Sequence, residues 1–379
     1  MPRRFFAFLT VFQSVLLLVH GFLFLTWVYF WSPLLADQST AYDFRPQDHL
    51  ALLAAMVVLA VSFLATSLIA FRTTNIVLRF FYRLAAEWLG FVSFAFFASL
   101  LCWITYFALE LAHVFPPRSY FALAFLALAV AFTAYGVLNA SWTRINRITV
   151  KLPSLPASWR GRSAVLVSDV HLGNVRGRSF TQRIVKAINQ LNPHVVFIDG
   201  DLFDGTPADF ANLIEPLRTL HPQFGTFFVE GNHEEFTDHT KFVKAIAATG
   251  VRVLNNERVE LDGLQLLGVA YKDATHGEHF RKTLRQTGFD RARASILLTH
   301  APDRPAVSAE EGVSLQLSGH THSGQFWPWT LAAKRMYGKY VYGLQTLGAM
   351  QIYTSYGAGT WGPPLRLGSN SEIVAIRFE

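Results

Sequence analysis

AVLVSD (164–169), HVVFIDGD (194–201), TFFVEGNHE (226–234), SILLTHAPD (295–303) and SLQLSGHTH (314–322) are five short apolar runs, and each leads into Asp, Asn or His. Val, Ile, Leu and Phe dominate them, and Gly, Pro or polar residues bound them, the pattern of buried strands. Between the first two, Phe180 to Leu191 has helical apolar spacing at Ile184, Ile188 and Leu191. Strands alternating with helices predict an α/β domain. In such sheets ligands bind beyond the carboxyl ends of the strands. The candidates at those ends are Asp169 and His171, Asp201, Asn232 with His233, His300, and His320 with His322.

The spacing bears on chemistry. Asp169 and His171 are two apart, as are His320 and His322, so an extended backbone would project each pair from one face. Gly200, Gly231 and Gly319 precede Asp201, Asn232 and His320 and permit tight turns and close backbone approach. A mixed oxygen and imidazole set suits Mn²⁺, Fe or Zn²⁺ better than Ca²⁺ or Mg²⁺. Seven such residues (Asp169, His171, Asp201, Asn232, His300, His320 and His322) suit two divalent ions that share one carboxylate. His221, His239, His276 and His279 match no such pattern and read as surface or loop residues.

Upstream the composition changes. The 379-residue chain is 51% hydrophobic and 16% charged and holds 34 Phe, against about 25% charged in soluble domains. Four apolar runs, 5–30, 50–71, 88–109 and 120–138, each approach the ~20 residues that cross a bilayer core as a helix. The first is too long for the apolar core of a signal peptide and lacks a clear small-residue cleavage site, so it is expected to be retained. The expected organisation is an all-α four-helix transmembrane domain over 1–140, a linker over 141–162 and a catalytic α/β domain over 163–379.

Arg3, Arg4, Arg72, Arg79, Arg83, Arg144, Arg147 and Lys151 fall on one side of four spans. Asp37, Asp43, Asp48 and Glu110 fall on the other, with Arg45 and Arg118. Positive charge marks the cytoplasmic side, so the expectation is a multi-pass inner-membrane protein with its catalytic half in the cytoplasm. Topology thereby accounts for the net charge of +7, and no nucleic-acid partner is expected. His20, His49 and His113 lie in or beside the spans without evident partners and read as interface or helix-packing residues. The single cysteine, Cys102, excludes an intrachain disulfide and reads as a small buried hydrophobe.

The series SDVHLG (168–173), GDLFD (200–204), GNHE (231–234), THAPD (299–303) and GHTH (319–322), in that order, resembles the calcineurin-like metallophosphoesterase superfamily. The tail GAGTWGPPLRLGSNSEI (357–373), together with the N-terminal spans, resembles its bacterial membrane-bound members. The resemblance implies a four-layer sandwich of two mixed sheets flanked by helices. It implies one ion held by Asp169, His171, Asp201 and His322, and a second by Asp201, Asn232, His300 and His320. The nucleophile would be a hydroxide between the ions, and His233 would protonate the leaving oxygen or stabilise the phosphoryl charge. Asp204 and Glu234 are candidates to orient ligand or catalytic histidines; Asp204 would otherwise cap the following helix, and Glu234 would otherwise be structural. Arg366 would meet a substrate phosphate bidentately or form a structural ion pair. Ser323 stands where close relatives often have Gly, but it is not at a ligand position.

The expected reaction is hydrolysis of a phosphoester or pyrophosphate bond. In FWPWTLAAKRMYGKYVYGL (326–344), Trp327, Trp329, Tyr337, Tyr340 and Tyr342 interleave with Lys334, Arg335 and Lys339. That mixture suits a lipid headgroup layer, so a lipid or lipid-linked substrate is expected; packing of this stretch on the protein itself is the alternative. Two other readings are a phosphodiesterase of soluble nucleotides and a membrane receptor or scaffold with a degenerate hydrolase domain.

Overall fold

The computed structural model describes residues 3–31, 49–206, 209–235 and 239–379, with side chains from Phe6 onward. Asp37, Asp43, Arg45 and Asp48, and the side chains of Arg3 and Arg4, lie outside the described residues. The chain forms two compact units, Met1–Val137 with Gly362–Pro364, and Leu138–Trp361 with Leu365–Glu379.

The first unit is built on helices α1 (Arg3–Trp31), α2 (Leu50–Ala70), α3 (Ile76–Leu111) and α4 (Arg118–Ser141), all long and apolar enough to cross a membrane. α3 starts twelve residues before the apolar run at 88 because Asn75 caps it, accepting from the Leu78 amide, and Arg83 pairs with Glu87 one turn on. Its 36 residues extend about 54 Å, well beyond a ~30 Å hydrocarbon core. Several polar groups inside the unit are paired across helices. His20 Nδ1 donates to the Leu16 carbonyl (2.8 Å), and its Nε2 accepts from the Trp88 indole (2.9 Å). The Trp103 indole donates to Thr26 (2.9 Å), and Cys102 is buried beside Phe30 and Tyr106. His20 therefore packs helices.

The second unit holds twelve strands among the described residues: β1 (Thr143–Val150), β2 (Ser163–Val167), β3 (Val195–Asp199), β4 (Thr226–Val229), β5 (Arg252–Val253), β6 (Glu257–Leu261), β7 (Leu264–Gly268), β8 (Ser295–Leu298), β9 (Leu315–Ser318), β10 (Gly343–Leu347), β11 (Met350–Thr354) and β12 (Ser371–Phe378). The helices are α5 (Arg178–Leu191), α6 (Phe210–Ile214), α7 (His239–Ala247), α8 (Tyr271–Ala274), α9 (Gly277–Gln286), α10 (Pro305–Glu310) and α11 (Trp329–Tyr337). One mixed sheet runs β1-β12-β2-β3-β4-β5 and the other β10-β11-β9-β8-β7-β6. β2, β3 and β4 are mutually parallel in the first, and β7, β8 and β9 in the second.

The strands are apolar on both faces because both are covered. Leu166, Phe197 and Val229 of the first sheet meet Leu266, Ile296, Leu298 and Leu317 of the second. On the outer face of the first, Val165, Val167 and Phe228 pack under Phe180, Ile184 and Ile188 of α5 and Phe242 of α7. Leu297 and Ile352 pack under Phe280 and Leu284 of α9. Each such fully buried side chain stabilises by roughly 1.5–3 kcal/mol. The layers are thus helix, sheet, sheet, helix, the architecture implied by the resemblance.

The stretch 141–162 is more than a connector. β1 lies within it and pairs in parallel with β12 over eight residue pairs. Trp159 is fully buried, stacks on Phe224 and donates its indole N–H to the Leu261 carbonyl (2.6 Å). Burying an indole in a core outweighs the local Pro and Ser content that reads as linker. Trp159→Ala should cost about 3–5 kcal/mol. The check is the urea midpoint of detergent-purified protein; a loss below about 1 kcal/mol would contradict this packing.

Candidate metal centre

Candidate residues come from loops at the ends of both sheets. β2, β3 and β4 lead into Asp169 and His171, Asp201, and Asn232 with His233; β8 and β9 lead into His300, and His320 with His322. The two sheets therefore contribute to one buried cluster. Its shared pole is Asp201 Oδ2, which lies 3.1 Å from His300 Nε2 and 3.9 Å from both His171 Nε2 and His233 Nε2. Asp169 Oδ1 lies 3.4 Å from His322 Nε2 and 3.9 Å from His300 Nε2. Three overlapping groups could each hold an ion: Asp169, His171 and His322; His171, Asp201 and His233; and Asp201, His300 and His320.

The local backbone differs from the extended pairs expected. Asp169, His171, Asp201, His320 and His322 all have positive φ, between 45° and 68°. Their side chains converge through tight left-handed loops, not through strand alternation. Such conformations cost energy in non-glycine residues and concentrate at functional sites. They are held by paired loop backbones: Asp169 N–H donates to the Gly200 carbonyl and His171 N–H to the Asp201 carbonyl. The Asp169 carboxylate in turn accepts from the His320 amide (3.0 Å). Close approach explains two glycines. A Cβ at Gly231 would stand 2.2 Å from Asp201 Oδ1, and one at Gly319 would stand 2.3 Å from Asp169 Oδ2.

Electrostatics follow from burying so many ionisable groups. Burial would raise the Asp201 carboxyl, but His300, His233 and His171 hold it well below the usual range. Burial, opposed by His300 and reinforced by Asp201, pushes the Asp169 carboxyl up to about 6. Burial and then His300 lower His320 to about 4, and burial with His171 and Arg366 lowers His322. Burial would lower His300, but Asp201, with Asp169 and Asp199, raises it. The donor set fits divalent cations. His171 Nε2 and His322 Nε2 face one another at 3.0 Å, a juxtaposition a shared cation would satisfy. Asn232 Oδ1 is buried with no hydrogen-bond partner, as an oxygen ligand awaiting a cation would be.

The supporting residues divide differently from expectation. The carboxylate of Asp204 neither orients a histidine nor caps α6. It accepts from the Asn174 amide (2.9 Å) and the Thr206 amide (2.9 Å), closing its own loop, while Asp209 caps α6. The Asp204 backbone carbonyl, not its carboxylate, accepts from His233 Nδ1 (3.0 Å). Glu234 is fully buried and accepts from the amides of Gly231 (2.8 Å), Asp201 (3.0 Å) and Phe203 (3.2 Å). It thus fixes backbone rather than imidazoles; burial and the neighbouring Asp201 raise its carboxyl to about 8.

Arg366 is neither a phosphate clamp nor half of an ion pair. It is fully buried and donates to the carbonyls of Tyr356 and Gly359 (2.7 Å each) and to His322 Nδ1 (3.0 Å). A guanidinium cannot accept, so Nδ1 accepts and Nε2 is the nitrogen turned toward His171 and Asp169. Sequence reading gave no role at the cluster to Tyr271, to Tyr337, which it placed in a headgroup-facing stretch, or to Trp361. The first two rings lie 5.5 and 6.2 Å from His320, and the third 5.8 Å from His233. No spacing rule marks a single aromatic that reaches a site from the end of a helix or from a loop. His221, His239, His276 and His279 are exposed.

Glu234→Ala would strand three buried amide donors, at about 1–3 kcal/mol for each one left unpaired. The Asp201 and Gly231 amides should then exchange with deuterium at least tenfold faster; unchanged protection would show that Glu234 does not hold this backbone.

A calcineurin-like phosphoesterase family model matches residues 163–324. The transmembrane protein with metallophosphoesterase domain of Danio rerio is 34% identical over 270 residues, 66% of this chain and 61% of that protein. This chain thus spans under two thirds of that relative's length. An uncharacterized metallophosphoesterase of Campylobacter jejuni is 31% identical over 267 residues, covering 69% of this chain and 70% of its own. One of Aquifex aeolicus is 30% identical over 261 residues, 66% of this chain and 98% of its own. With ordered loops from both sheets meeting at one Asp and His cluster, these matches mean that the chain belongs to the calcineurin-like metallophosphoesterase family.

Proposed function

We propose that this protein is a membrane-anchored phosphoesterase that uses two divalent ions to hydrolyse a phosphoester or pyrophosphate bond. The observation that carries the reading is the position of Asp201 Oδ2, within 3.9 Å of ring nitrogens from three separate loops. Asp169, His171, Asp201 and His322 would hold one ion, and Asp201, Asn232, His300 and His320 the other, with Asp201 common to both. When bound, the ions would supply Lewis acidity toward the phosphoryl oxygens and an activated water. Mn²⁺, Fe or Zn²⁺ suits the mixed donor set. His233 donates Nδ1–H to the Asp204 carbonyl, so its Nε2 is the nitrogen that moves a proton at the leaving oxygen. A scaffold with a decayed site would be expected to lack at least one donor, and all seven are present.

The finer reading concerns the substrate. In 326–344, Trp327, Trp329, Leu331 and Met336 are exposed, as are Lys334, Arg335 and Lys339. Tyr337, Tyr340 and Tyr342 are half-buried and turn toward the protein. The exposed subset pairs apolar anchors with positive charge, which suits an anionic headgroup layer. We therefore propose a lipid or lipid-linked phosphoester, met on the cytoplasmic side of the inner membrane as the arginine bias of the spans suggests.

Metal-stripped, Mn²⁺-reloaded protein should hydrolyse bis-p-nitrophenyl phosphate, and Asp201→Asn should lower that activity by more than about a hundredfold. Metal bound without turnover of any phosphoester would count against the reaction. Trp327→Ala and Trp329→Ala should reduce turnover of a vesicle-borne phosphoester severalfold more than that of the soluble ester; equal losses would exclude the lipid reading.

A further inference from the structure

The loop after His322 carries a feature that metal binding leaves unexplained. Ser323, Gly324 and Gln325 all have positive φ, at 49°, 73° and 61°. Gln325 is buried, and its side-chain amide clamps one residue of the tail at two points. Its Oε1 accepts from the Trp361 amide (3.0 Å), and its Nε2 donates to the Trp361 carbonyl (3.2 Å). A non-glycine residue at such φ is strained and persists only where its surroundings over-determine it. Here the strain places a tryptophan.

Trp361 itself is 53% exposed, although its backbone is fixed. Its ring meets the His233 ring edge-to-face, at 5.8 Å between centroids and 66° between planes. The cluster is thus built of buried imidazoles and carboxylates and flanked beside His233 by an exposed indole. Tyr271 and Tyr337 line the His320 side. An exposed indole held in place by its backbone offers a π-face to a ligand at little conformational cost.

We propose that Trp361, presented by Gln325, determines specificity on the leaving-group side, favouring phosphoesters whose leaving group carries a flat π-system. This rests on the reading of His233 as the residue that serves the leaving oxygen. The indole stacks on the flat portion of the leaving group while His233 Nε2 addresses its oxygen. Gln325 is a positioning residue that acts through Trp361.

The test is calorimetric binding of two non-hydrolysable probes, phenylphosphonate and methylphosphonate, to the Mn²⁺-loaded full chain in detergent. Wild-type protein should bind the phenyl probe about tenfold more tightly than the methyl probe, the scale of one stacking contact. Trp361→Ala should bring the ratio to about one, Trp361→Phe should retain most of it, and Gln325→Ala should fall between. A ratio near one in wild type, or a wild-type ratio in Trp361→Ala, would overturn the proposal. Failure of wild type to bind either probe would instead bring down the phosphoesterase reading, and this inference with it.

Discussion

The Asp201 carboxylate is the point on which the second unit's functional end depends. It stands where loops from two separate sheets meet, buried and ringed by imidazoles. A carboxylate desolvated to that degree persists only with compensating partners. The His233 amide donates to Oδ1 (2.9 Å), His300 Nε2 lies 3.1 Å from Oδ2, and Glu234 holds the Asp201 backbone from behind. Every neighbouring constraint follows from this crowding. Gly231 has no room for a Cβ, and His171 reaches Asp201 through a strained φ.

The same logic of buried charge with dedicated donors recurs away from the cluster. Glu372 on β12 accepts from Tyr353 (3.0 Å), Ser355 (3.1 Å) and the Tyr356 amide (3.0 Å), and from Asn146 of β1 (3.2 Å). It ties β1 and β12 of one sheet to β11 of the other. Arg366 plays the cationic counterpart in the tail, binding carbonyls and the outer nitrogen of His322. Arg366 thus braces His322, and Glu372 holds the turn that follows β11. These contacts account for a tail motif whose charged residues are Arg366 and Glu372.

The helical unit obeys a different solvent. Its exposed surface is rich in Leu, Val, Phe and Ile, while polar side chains within it pair across helices, as His20 does with Trp88 and Thr26 with Trp103, or bond carbonyls of their own helix, as Thr66 and Thr133 do. In hydrocarbon an unpaired polar group is costly. Pairing is therefore the expected state of a histidine in a spanning helix that serves packing.

The sequence by itself marked the five strands that carry the cluster, the four apolar helices and the residue types that gather at the strand ends. Those are properties of local pattern: apolar runs of the right length, and Gly beside Asp, Asn or His. It also read 141–162 as a connector, because Pro and Ser content is local, whereas the pairing of β1 with β12 joins residues more than 220 positions apart. Only the tertiary structure decided what Asp204, Glu234 and Arg366 do. Each binds mainly backbone groups, some two to ten residues away and others thirty or more, and no spacing announces which carbonyl or amide will be left needing a partner. The left-handed backbone of Asp169, His171, His320 and His322 was likewise invisible, because spacing in a sequence records separation but not the turn that separation takes.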